Sequence, residues 1–238
     1  MRMLPYTTAE GAVDGVVVTF FDITQVVEGE LLGTLVDELN HRVRNMLQVV
    51  SAIAGHTLRE AGSVEEFGVT FTGRLKALAA AHELVSRSGW SSVPLQDLIE
   101  KELLPYGSGS GRLVMEGAPA WLKPRAALSV GMVLHEMATN AAKHGALSAE
   151  GGRVSIAWAM EGEGDAARLV MRWTETGGPK TTLPPQRRGF GSKRIERQLR
   201  NDLGGEFELS FEEAGLRARM ELPRSVLAQE GKALAVPG

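Results

Sequence analysis

LHEMATNAAKHGALS, residues Leu134–Ser148, carries two different faces. At about 100° per residue in a helix, Glu136, Asn140, Lys143 and His144 fall on one side, at i, i+4, i+7 and i+8. Leu134, Met137, Ala138 and Ala141 fall on the other. An apolar stripe of that kind needs a surface to cover it, and the neighbouring segments offer one. A long helix is predicted over Arg125–His144, with strands over Arg112–Glu116, Val154–Met160, Arg168–Thr174, Glu206–Phe211 and Arg217–Leu222, where β-branched and aromatic runs sit between turn residues. Further helices are predicted over Leu95–Leu104 and from about Ser192 to Leu203. Helices mixed with hairpin-connected strands make an α+β sandwich, one layer of each.

Upstream, the texture is helical. Leu35, Leu39, Val43, Met46, Leu47, Val50, Ile53, Ala54 and Leu58 recur every three or four residues, and so do Phe67, Phe71, Leu75, Leu78, Ala79, His82 and Val85. Gly62–Ser63 separates the two runs, and Ser63 with Glu66 has the spacing of a capping box. Two long helices joined by a short turn form an antiparallel hairpin, with too little core to stand alone, so a four-helix bundle in a dimer is expected. Gly15–Ile23 reads as a strand, and residues 1–24 as the last strands of a domain that begins elsewhere.

Composition removes whole classes of function. The 238 residues carry 26 Lys and Arg against 29 Asp and Glu, a net charge of −3, so no general field draws in nucleic acid. There is no cysteine, which excludes disulfides, thiolate metal sites and a cysteine nucleophile. Apolar stretches fall short of the roughly 20 residues of a membrane helix, and no signal peptide is read. A cytoplasmic location is expected.

Four constellations carry chemistry. His41 lies on a polar helix arc with Asp37, Glu38, Arg44, Asn45 and Gln48, which is how an exposed nucleophile would be presented and also how a solvated helix face looks. Glu136 and Asn140 offer hard oxygen donors suited to Mg²⁺, and Lys143 and His144 offer positive charge for phosphate; an ordinary solvated stripe has the same pattern. In WTETGGP (Trp173–Pro179), Glu175 could accept a hydrogen bond from an exocyclic amine, while Gly177 and Gly178 permit close backbone approach to a ligand or simply turn the chain. In RRGFGS (Arg187–Ser192), Gly189 and Gly191 precede Ser192 at a helix start, where free N–H groups favour phosphate.

In this order, HRVRN, LHEMATNAAKHGALS, WTETGGP and RRGFGS resemble the HWE family of sensor histidine kinases, whose name corresponds here to His135, Trp173 and Glu175. The resemblance runs from about Leu35 to Pro223. It implies an ATP- and Mg²⁺-dependent protein-histidine kinase of a two-component system. Residues 1–24 would be the remnant of a PAS sensory domain, 25–34 a signalling linker helix, 35–88 the dimerisation and phosphoacceptor hairpin, 89–224 a Bergerat-type ATP-binding domain, and 225–238 a flexible tail. His41 would take the γ-phosphate and pass it to an aspartate on a response regulator receiver domain. Asn140 would ligate Mg²⁺ with Glu136 close by, Lys143 and His144 would meet phosphates, and Glu175 would recognise adenine beside Trp173, Gly177 and Gly178. Gly189, Phe190, Gly191 and Ser192 would shape the phosphate end. Arg42 stands after His41, where many histidine kinases have an acidic residue, so Glu38 and Asn45 are assigned to orient the imidazole. The expected partners are a second copy of the chain, a response regulator and an upstream sensory domain. The alternative reading is a dimeric phosphotransferase or scaffold that has lost ATP binding.

Overall fold

The computed structural model describes residues 2–7, 13–19, 40, 43–59, 61–107, 111–179 and 190–229, and the chain divides into two units, residues 1–52 and 53–238. In the first unit, β1 (Arg2–Thr7) pairs antiparallel with β2 (Val13–Thr19), Arg2 opposite Thr19. The strand expected at Gly15–Ile23 therefore begins two residues earlier, and residues 20–23 lie outside the described residues. So do the expected linker, 25–34, together with Glu38 and His41.

Residues 43–59 are helical (α1). The second long helix, α2 (Val64–Arg87), starts where the sequence says it should: Ser63 Oγ accepts from the Glu66 N–H at 3.1 Å. Glu66 answers by accepting from the N–H of Gly62, one residue before the cap, at 2.8 Å.

The second unit is built on a five-stranded sheet in the order β4 (Leu113–Gly117), β6 (Arg153–Glu161), β7 (Arg168–Thr176), β9 (Gly215–Pro223), β8 (Glu206–Glu212). All neighbours are antiparallel except β4 and β6, which α4 (Pro124–Lys143) connects as a parallel crossover. A short pair, β3 (Val93–Pro94) with β5 (Trp121–Leu122), ties the start of α3 (Leu95–Gly107) to the chain entering α4.

One sheet face follows a period of two into the core: Ile156 and Trp158, Leu169 and Met171, Met220 and Leu222 are buried against α4 and α5 (Phe190–Leu203). The other face is charged. Glu161 pairs there with Arg172 and, at 2.9 Å, with Arg219, which also reaches Glu221 at 2.8 Å. The sandwich expected from the sequence is therefore present, α+β with a mixed sheet.

Two features differ from the sequence reading. First, α2 is no separate hairpin arm: its Ala77, Leu78, Ala81 and Val85 are buried, and Ala81 and Val85 join one cluster with Leu98, Val130 and Leu134 of α3 and α4. Core residues are thus shared by the elements on either side of residue 88. Of the expected stripe, Leu78 and Val85 are buried while Leu75 and Ala79 are exposed; the face turned inward is Ala77, Leu78, Ala81 and Val85. Second, the segment expected to be loose after Arg224 is tied as far as Ala228. Lys123 N donates to Val226 O, Ala228 N donates to Trp121 O, and Val226 is buried. His82, expected as a core residue, is half-buried and meets Trp90 edge-on, with ring centroids 5.0 Å apart.

If α2 shares this core, truncating a side chain that touches both layers must destabilise the whole unit. Leu98 is fully buried, and its Cδ1 lies against Gly131 of α4, where an added Cβ would stand 3.2 Å away. Leu98→Ala should cost about 2–5 kcal/mol, seen as a lower midpoint in urea with unchanged slope; a loss below 1 kcal/mol would mean that the core is not shared.

Candidate nucleotide-binding site

The polar stripe of α4 has two ends with different fates. Asn140, Lys143 and His144 are exposed at its C-terminal end. Glu136, one turn earlier, is mostly buried and paired: Arg74 Nε of α2 donates to its Oε1 at 2.6 Å. The sequence placed all four on one arc; the tertiary structure covers the arc at Glu136 with α2 and leaves it open from Asn140 onward.

The chain leaves α4 through Gly145, whose N–H donates to Asn140 O at 3.0 Å, into a single 3-10 turn, Ala146–Ser148. That turn is held from two sides. Glu175, at the end of β7, accepts from the Ala146 N–H through Oε2 at 2.7 Å and from the Trp173 indole N–H through Oε1 at 3.0 Å. Only 5% of Glu175 is exposed, and burial pushes its carboxyl above the usual carboxylate range, opposed by those two hydrogen bonds. From the other side, Arg112, just before β4, spreads its guanidinium over three carbonyls: Leu147 O at 2.9 Å, Ala149 O at 2.7 Å and Gly152 O at 2.9 Å. A planar fork with several fixed donors suits three convergent acceptors as a lysine would not.

Gly177 and Gly178 complete this arrangement. Gly177 has φ +69, and a Cβ on it would lie 2.7 Å from Gly151 O; a Cβ on Gly178 would lie 2.8 Å from the Cα of Ala146. The close approach these glycines permit here is to the backbone of the turn. Trp173 is 4% exposed and belongs to the core beneath.

The structure therefore brings the C-terminal end of α4, the Ala146–Ser148 turn and the WTETGG segment into one rigid corner. Its open side presents Asn140, Lys143 and His144. Of the remaining sequence candidates, Phe190, Gly191 and Ser192 form the first residues of the α5 backbone, and Asn45 is exposed on α1 in the other unit. Gly189, His41 and Glu38 lie outside the described residues.

Arg112, Arg74 and Glu102 were not singled out in the sequence. Glu102 of α3 is 4% exposed, and its Oε2 lies 3.2 Å from His135 Nδ1. No local pattern marks any of the three, because each acts on a partner at least 33 residues away.

Two outcomes check the corner. Arg112→Met keeps the stem but strips three charge-assisted bonds, and should cost about 2–3 kcal/mol with faster amide hydrogen exchange at residues 146–152. Glu175 keeps its proton to higher pH when folded than when unfolded. Its contribution to stability is therefore full below the unfolded value and is lost as pH rises through the raised folded one. The melting temperature of wild type relative to Glu175→Gln should accordingly fall as pH is raised from about 4 towards neutrality; a pH-independent difference would contradict that.

Residues 38–119 match the family model described as HWE histidine kinase. A blue-light-activated histidine kinase of Brucella ovis is 32% identical over 197 residues, which is 82% of this chain and 40% of that protein. The corresponding protein of Brucella anthropi is 34% identical over 198 residues, with the same coverage. The chain thus spans about two fifths of the length of these relatives. Among solved structures, the blue-light activated histidine kinase EL346 of Erythrobacter litoralis superposes with a TM-score of 0.59 at 15% identity, covering 79% of this chain and 60% of that one. That likeness is one of fold.

Proposed function

We propose that this chain, a member of the HWE histidine kinase family through its residues 38–119, is the kinase core of a sensor histidine kinase that phosphorylates itself on His41 from ATP. The observation that carries the reading is the open end of α4: an amide, an ammonium and an imidazole exposed together beside a corner that Glu175, Arg112 and two glycines hold rigid. Phosphoryl transfer asks a protein mainly for positioning and for stabilisation of spread negative charge, and this end of the helix offers both.

The residues fit a magnesium nucleotide. The Asn140 amide oxygen and the Glu136 carboxylate are hard donors, yet among the described residues no cluster of three acidic or histidine groups could hold a metal by itself. A cation shared with phosphate oxygens and water is what Mg²⁺ prefers. When bound, Mg²⁺ would neutralise charge building on the phosphate oxygens. Lys143 and His144 would meet the phosphates, and Gly191 and Ser192 at the start of α5 would close their far side with Gly189 and Phe190. Glu175 already serves two donors of the chain, so a contact with the adenine amine would use the lone pairs these leave over.

In the reaction, a nitrogen of the His41 imidazole forms a bond to the γ-phosphorus while the bond from phosphorus to the bridging oxygen breaks. The electron pair leaves on ADP, and the imidazole releases its proton. Glu38 and Asn45, one turn to either side, would orient the ring. The phosphoryl group then passes to an aspartate carboxylate on a response regulator. On the helix 43–59, Val43, Met46 and Leu47 remain exposed, which supports a second copy of the chain completing a four-helix bundle. The α+β layer is read as a Bergerat-type ATP-binding sandwich from the resemblance to the family, and the strands β1 and β2 as the end of a sensory domain. Among the described residues no helix is long and apolar enough to cross a membrane.

Incubation with γ-labelled ATP and Mg²⁺ should yield acid-labile label on wild type, none on His41→Ala, and label reduced at least about 10–100-fold on Asn140→Ala, the scale of losing a group that holds the metal. Label persisting on His41→Ala would move the nucleophile elsewhere. Absence of both label and ATP binding in wild type would favour a phosphotransfer scaffold.

A further inference from the structure

Gly73 and Arg74 of α2 face His135 and Glu136 of α4 as neighbours on neighbours. A Cβ on Gly73 would stand 3.4 Å from His135 Nε2, and Arg74 Nε donates to Glu136 Oε1 at 2.6 Å. Behind Arg74, its Nη1 donates to Thr57 Oγ1 at 2.6 Å, and that hydroxyl donates to Ile53 O at 2.7 Å. The guanidinium is thus anchored on one side to the helix before the turn and on the other to the helix that carries Asn140. Both charges are largely out of water, with side-chain exposures of 7% and 14%. The surroundings are acidic as well: Glu102 lies beside His135, and burial followed by the charges of Glu102 and Glu136 pushes the Tyr106 phenol upward.

We propose that Arg74 is a positioning residue that competes with the bound metal for the Glu136 carboxylate, so that the hairpin sets how tightly this site takes a magnesium nucleotide. The proposal rests on the nucleotide reading above and adds its regulation. Glu136 stands one turn from Asn140, but its carboxylate is turned to α2. To act beside Asn140 it must give up this contact with the guanidinium, and breaking a largely buried ion pair opposes that move. A shift of α2 relative to α4, or a change in Thr57 that loosens Arg74, would tip the balance. Thr57, Arg74 and Glu136 form a continuous chain of contacts from the hairpin to the candidate metal site, with no step left to unspecified flexibility.

The test compares the affinity for a fluorescent ATP analogue with Mg²⁺ present and with EDTA, expressed as a ratio, in protein whose folding is checked by thermal unfolding. Arg74→Gln should raise that ratio about 3- to 10-fold, the equivalent of roughly 1 kcal/mol of released competition. Arg74→Lys, which keeps the charge but not the fork, should fall between it and wild type, and carries the test if the glutamine variant fails to fold. Combining Arg74→Gln with Glu136→Gln should return the ratio to that of Glu136→Gln alone. An unchanged ratio, an equal gain with and without Mg²⁺, or a gain that survives in the double variant would overturn the proposal while leaving the nucleotide reading intact. No analogue binding by wild type would instead overturn the nucleotide reading, and this one with it.

Discussion

Helix α4 is buried along most of its length on two sides, and the rest of the second unit is arranged by that fact. Sheet residues Ile156, Met171 and Met220 lie in one cluster with its Leu134 and Met137, while Val85 and Leu98 reach the same cluster from α2 and α3. Small residues make the double contact possible: Gly131 brings α4 close enough that an added Cβ would stand 3.1 Å from Ala81 of α2. Interiors pack to crystal-like density, so a helix gripped in this way cannot rotate or slide without disturbing three layers. At its C-terminal end α4 opens, exposing Asn140, Lys143 and His144.

Holding a site open next to a dense core has an electrostatic cost, and the structure meets it by saturating buried charges. Glu175 is buried with a donor on each oxygen, Arg112 is part-buried under three carbonyls, and Arg74 is buried with Thr57 and Glu136. In the one ion pair of this set, Arg74 with Glu136, removing either partner takes away a charge that the other is buried against, which is why such pairs cost much to break although they add little net stability when intact. The pairs on the outer sheet face, Glu161 with Arg172 and Arg219, are in water and contribute far less. The chain's polar investment is concentrated where the site is.

The proposed function would require the chain to hold a nucleotide firmly and yet let a histidine on another element reach its terminal phosphate. The architecture separates these demands. The corner built by Glu175, Gly177, Gly178 and Arg112 is fixed by short contacts to backbone, and α2 meets α4 through the charged pairing of Arg74 with Glu136, which exchange of partners can rewire. Rigidity at the corner, with an adjustable carboxylate one turn before Asn140, is the division of labour that the proposed phosphoryl transfer would use.

The sequence by itself determined the elements. The period of Leu134–Ala141 declared a helix with one apolar side, Ser63 with Glu66 declared where α2 begins, and alternating strand residues declared the sheet, because caps and periodicities are local properties of the backbone. The same reading grouped Glu136 with Asn140 and assigned the apolar stripe of α2 to a helical bundle, without naming what would meet Glu136. Only the tertiary structure decided that Ala81 and Val85 of α2 join a core with α3 and α4, and that Glu136 meets Arg74, 62 residues earlier. It also decided that Glu175 and Arg112 grip one turn from opposite sides. Such pairings depend on how helices cross and how strands are ordered, and a period fixes which face a residue occupies while saying nothing of what arrives there.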